Sequence, residues 1–269
     1  MPMHLHRMVG AELKKILTRF SGWAGIGLSA TIPLLVIAAL LWVRSQTTGD
    51  DGLVVNNNPI SQMVAFEVHT VLDWALSVRN FLVLPLMLLM ITAQLVAGEW
   101  KERTLRSLLV RPVPRWSVLT AKFLAVLIYS GACLLLTWIL AFAPAIALFD
   151  FEVEIADVSL GYLASWGTDA GFISIGLLVS TIFPSVVGVV VGTALGWGFE
   201  LALRGGLKAA SFLGVEKADS IGPWMPGNAL DAWQGFSGGW DERAFGGLAI
   251  LIVLSTALAV VRFARTDVP

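Results

Sequence analysis

The residues best suited to chemistry lie in one short stretch and at two isolated positions. Between 99 and 122, Glu99, Glu102, Arg103, Arg106, Arg111, Arg115 and Lys122 mix both signs of charge around an apolar stripe of Leu105, Leu108 and Leu109, before Pro112 and Pro114 end the helical pattern. This suits a docking helix whose leucines enter a partner's groove while its charges set register and orientation. The plainer reading is a loop whose basic residues only hold it on one side of a membrane. Asp169 and Glu200 border the uncharged stretch 170–199. A carboxylate at membrane depth is costly, so such residues usually face a bundle interior or a wet cavity, as on a substrate or proton pathway. The alternative for Asp169 is a place within reach of an interface, bonded to Trp166 or to backbone. For Glu200 an interfacial place is preferred.

Other chemistry is excluded by spacing. His4, His6 and His69 do not form a His-Glu-x-x-His zinc site, and no metal site is expected. There is no Gly-x-Ser-x-Gly elbow, and Asp169 lacks a second intramembrane aspartate with which to form a protease dyad. The single cysteine, Cys133, rules out a disulfide framework and reads as a packing residue. No lysine completes a phosphate-cradling loop: Lys208 follows Gly205-Gly206 but precedes Ala209. The chain is expected to bind no cofactor and to hydrolyse no ATP itself.

The elements that must position these residues follow from composition. Of 269 residues, 57% are hydrophobic and 14% charged, and mean hydropathy is +0.78. A soluble domain carries about a quarter charged residues, so an ordinary soluble enzyme is excluded. A net charge of -1 gives no sign of a nucleic-acid partner. A membrane helix needs about 20 apolar residues. The expected fold is therefore all-α, a single transmembrane domain with six spans near 20–43, 81–98, 123–149, 159–183, 185–203 and 244–261. Five spans are the alternative, because Phe183-Pro184-Ser185 interrupts a long apolar run. Ahead of the first span, Leu5, Met8, Val9, Leu13, Ile16, Leu17 and Phe20 recur at helical spacing, with Lys14, Lys15 and Arg19 off the stripe. This is an amphipathic interfacial helix with its basic residues near anionic lipid headgroups. Gly22, Gly25 and Gly27 would allow close helix contact in the first span. The stretch 221–240, rich in Gly, Pro and Trp, reads as a folded outer segment or an interfacial loop with aromatic anchors.

With six spans, the basic residues before the first span, in the loop 99–122 and after the last span share one side, so both termini are expected in the cytoplasm. The opposite loops hold Asp50, Asp51, Asp150, Glu152 and Glu154.

Glu99, Thr104-Leu105, Leu108-Leu109, Arg111-Pro112, Arg115 and Lys122, taken in order, resemble the loop of ABC-2 type transporter permeases. Glu12-Leu13-Lys14-Lys15 resembles that family's N-terminal helix, and the stretch around Arg262 and Arg265 its basic tail. The resemblance covers essentially the whole chain, with one departure: Arg103 stands where the family usually has glycine. It implies a half-transporter in a bacterial-type inner membrane, paired with a second permease copy or a paralogue. Two separate ABC ATPase subunits, carrying ATP and Mg, would dock at Glu99, Glu102, Thr104, Leu105, Arg106, Leu108, Arg111, Pro112 and Arg115. It leans toward export and leaves the cargo open, since a shared scaffold does not fix the substrate. Two other readings stand beside it: a proton-coupled secondary transporter using Asp169, and a non-transporting membrane anchor of a larger assembly.

Overall fold

The computed structural model describes residues 5–47, 68–101, 114–148, 155–214, 220–221, 224–231, 233 and 242–265. Their regular structure is helical. The amphipathic N-terminal segment forms α1 (Leu5–Thr18), and the uncharged run after Arg19 forms α2 (Phe20–Thr47). Next come α3 (Val68–Val78), a π-helical turn (Arg79–Val83) and α4 (Leu84–Lys101). α5 (Arg115–Leu148), α6 (Ile155–Ile182) and α7 (Val186–Phe212) follow. The short α8 (Pro226–Leu230) precedes α9 (Glu242–Arg265).

α2, α5, α6, α7 and α9 are each long and apolar enough to cross a membrane, and α3 with α4 makes a sixth if the bent pair is counted as one span. Side-chain contacts mark the two ends of the bundle. At one end Arg44 of α2 donates to the Leu148 carbonyl of α5 at 3.0 Å, and α3 packs there with Leu40 and Ala145. At the other end α4 packs with Ile16 of α1, Arg115 donates to the Ala264 carbonyl at 2.9 Å, and Arg262 to the Thr181 carbonyl at 3.1 Å. The bent pair thus runs from the far end to the α1 end, which makes the crossings even in number.

Two helices begin earlier than their charges suggest, for one physical reason. α5 starts at Arg115 and carries Lys122 inside it; with 34 residues it is about 51 Å long, well beyond a hydrocarbon core of about 30 Å. The second span begins with α3 and carries Arg79 through its middle. A charge ends a membrane helix only where it must stay solvated. Both Lys122 and Arg79 are neutralised inside the bundle, so helix continues through them. At the break between α6 and α7, Ser185 caps α7 by accepting the Gly188 backbone N–H at 3.0 Å.

α6 is the most enclosed of these helices, and α7 the most exposed. Exposed apolar side chains such as Leu195 and Phe199 on α7 need no other explanation in lipid, where apolar exposure carries no penalty. Gly227, Ala229 and Leu230 of α8 are buried, and Ala229 and Leu230 join Phe172 and Leu248 in one cluster. This part of the stretch 221–240 is folded against the spans.

Candidate functional site

Four charges from three elements close a ring at the α1 end. Glu12 and Lys15 are one turn apart on α1, Glu99 lies near the end of α4, and Lys122 lies in the second turn of α5. The Lys15 ammonium donates to Glu12 at 2.8 Å and to Glu99 at 2.6 Å. The Lys122 ammonium donates to the second oxygens of the same carboxylates, at 3.1 Å and 2.8 Å. Each acid thus bridges two cations and each cation two acids, with no net charge. Glu12, Glu99 and Lys122 are buried, whereas the Lys15 side chain is 37% exposed. Burial pulls Lys15 down, but its bonds to Glu12 and Glu99 and their charges outweigh this and hold it above its ordinary value. Ser21 adds a bond from α2 to Gln94 of α4 at 2.7 Å.

The ring sits on the two stems of the charged loop. Of the expected docking residues, Glu99 is buried in the ring, paired with Lys15 and Lys122. Arg115 opens α5 and bonds the end of α9, beside which Trp100 meets Phe263 edge-on at 6.3 Å. Glu102, Thr104, Leu105, Arg106, Leu108, Arg111 and Pro112 lie outside the described residues.

Asp169 lies on α6 within the bundle and is not a lone acid. Arg79, at the start of the π-turn, donates Nη2 to its Oδ2 at 2.7 Å. The Arg79 Nη1 reaches Ser165 Oγ at 3.0 Å and Asn80 Oδ1 at 2.6 Å, and Asn80 Nδ2 donates to Ser165 Oγ at 2.8 Å. Arg79 is wholly buried and Asp169 2% exposed, so the pair is sealed from both lipid and water. The suggested Asp169–Trp166 bond is not made: Trp166 Nε1 donates to the Leu127 carbonyl at 2.9 Å. Glu200, on α7, pairs with Arg204 at 2.9 Å and accepts the Gly227 backbone N–H at 3.0 Å. Arg204 continues to Asp231 at 3.1 Å, so this cluster fastens α8 to the far part of α7.

Sequence reasoning missed Arg79 and did not join Glu12 to Lys122. The available signal for Arg79 was its setting: one arginine in the apolar second span, and one acid of opposite sign alone in the apolar fourth. Among the described residues, no three His, Cys, Asp or Glu side chains converge on a common metal position.

An all-α bundle that crosses the membrane repeatedly, its few charges paired inside it and a helix riding on one face, defines a polytopic membrane protein. The family model described as "ABC-2 family transporter protein" matches residues 8–196. The chain belongs to that family, the membrane transport component of an ABC transporter. The match includes the ionic ring and the Arg79–Asp169 pair and stops short of Glu200. No curated protein matches the chain.

Proposed function

We propose that the chain is the permease half of an ATP-driven exporter in a bacterial-type inner membrane, with both termini cytoplasmic. It pairs with a second copy or a paralogue, and two ABC ATPase subunits, which bind ATP and Mg, dock on the loop 99–122. Closure of the motors moves the loop and rocks the spans between inward-open and outward-open states at the seam between the two permeases. The observation that carries this reading is the ring. Glu99 enters the loop, Lys122 leaves it, and both are held to α1 through Glu12 and Lys15 at 3.1 Å or less. A push on the loop therefore reaches α1, α4 and α5 together and is not absorbed by one flexible stem.

Co-purification from the native membrane tests it. An ABC ATPase subunit is expected with the wild-type chain and is expected to fall at least tenfold, about 1.4 kcal/mol of binding, in the Leu105→Asp, Arg106→Asp double variant. Absence of any ATPase from wild-type preparations overturns the reading in favour of a membrane anchor. The proton-coupled alternative would have to work through an Asp169 that is already paired with Arg79.

A further inference from the structure

The second crossing changes direction at its middle. α3 and α4 meet at 43° across the turn 79–83, and a π-turn, which inserts a residue into the α-helical ladder, is a recognised cause of such a kink. The halves pack into different apolar clusters along the same α5 and α6. α3 lies with Ile37 of α2 and Ala145 of α5, and the Tyr162 hydroxyl of α6 donates to its Leu72 carbonyl at 3.0 Å. α4 lies with Ile16 of α1, Val126 of α5 and Ile173 of α6, and ends in the ring. The Arg79–Asp169 pair sits between those clusters along the second crossing.

An apolar pair of similar volume would fill that space without the desolvation cost of two buried ions. What it would lack is direction. The planar guanidinium aims separate N–H groups at Ser165 and Asp169, one helical turn apart on α6, and so fixes both the height and the rotation of the π-turn on that helix. We propose that Arg79 and Asp169 are positioning residues that pin the π-turn to α6 and make it the fixed point about which α4 swings when the docking loop moves. The swing rests on the docking role proposed above; the pin does not.

Electron–electron distance measurement on the full chain in lipid nanodiscs tests the pin without any ATPase. In a Cys133→Ala background, spin labels at Trp74→Cys and Gly98→Cys straddle the turn; Trp74 is half-exposed and a Cβ at Gly98 meets nothing. Labels at Ile128→Cys and Ile139→Cys, both exposed on α5, give a control within one helix. Asp169→Asn is expected to broaden the 74–98 distance distribution roughly twofold and leave the 128–139 distribution unchanged. The charge-exchanged pair Arg79→Asp, Asp169→Arg is expected to narrow it again. Should Asp169→Asn not insert, Arg79→Lys, which keeps the charge and loses the fork, is expected to broaden the same distribution less. An unchanged 74–98 width in these variants, or equal broadening of the control pair, overturns the pin. A wild-type chain that captures no ATPase overturns docking, and the pin still stands or falls on these widths.

Discussion

Lys15 and Lys122 hold the same two carboxylates in different surroundings. The Lys122 side chain is 1% exposed, and no water can replace it without entering the bundle, whereas Lys15 looks out from the ring at 37%. Removing one partner of a buried pair leaves an uncompensated charge and costs about 3–5 kcal/mol. Removing the exposed partner costs about 1 kcal/mol, because solvent takes its place. Lys122→Met should therefore destabilise the protein several times more than Lys15→Met, read as unfolding midpoints in detergent titrated with SDS. Adding Glu99→Gln to Lys122→Met should recover part of the loss, since one buried negative charge goes with the cation. Equal costs for the two lysines would mean that the ring is wetter than its geometry describes.

The joint between α1 and α2 depends on how closely backbones approach. Gly22 follows the turn in which Arg19 N–H meets the Ile16 carbonyl at 3.2 Å, and a Cβ there would strike that same carbonyl. A Cβ at Gly25 would strike the Tyr129 hydroxyl, which donates to the Gly22 carbonyl at 2.6 Å and ties α2 to α5. A Cβ at Gly27 meets nothing within 4 Å. Gly25→Ala should thus cost about 1–3 kcal/mol through displaced packing. Gly27→Ala should be neutral or mildly stabilising, since glycine is about 1 kcal/mol worse than alanine inside a helix. Thermal midpoints of the two variants in one detergent decide this, and a larger loss at Gly27 would sink the account. The spacing of these glycines invites a contact-face reading for all three, but which of them meets a neighbour depends on where α1 and α5 lie, which no local pattern supplies. The same limit explains the misplaced helix starts. Apolar runs make α2 and α9 plain in the sequence, because lipid and neighbouring helices surround them and charges bound them. Arg79 and Lys122 look like helix boundaries until Asp169, Glu12 and Glu99 are known to meet them, and those partners are 90, 110 and 23 residues away.

At the scale of the whole molecule, the ends of the bundle differ in kind. The α1 end gathers the ring, both stems of the loop and the last turn of α9, where Trp100, Arg115 and Arg262 all make contacts. The far end gathers the Arg44–Leu148 bond and the first turn of α3. With α3 and α4 counted as one bent span, the crossings place these groups on opposite sides of the membrane, so a single observation of sidedness orients every helix. The loop carries Arg103, Arg106 and Arg111, whereas 48–67 and 149–154 carry acids and no Lys or Arg and 215–241 a single lysine, Lys217, a bias that favours the cytoplasmic side proposed above for the loop. In sealed cells carrying Cys133→Ala, a membrane-impermeant maleimide should label Phe212→Cys, which is 92% exposed at the far end of α7. It should label Ser107→Cys only after the membrane is opened. Labelling of Ser107→Cys in sealed cells would turn the bundle over, put the ring and loop stems out of reach of any nucleotide-driven motor, and leave the docking mechanism without a partner.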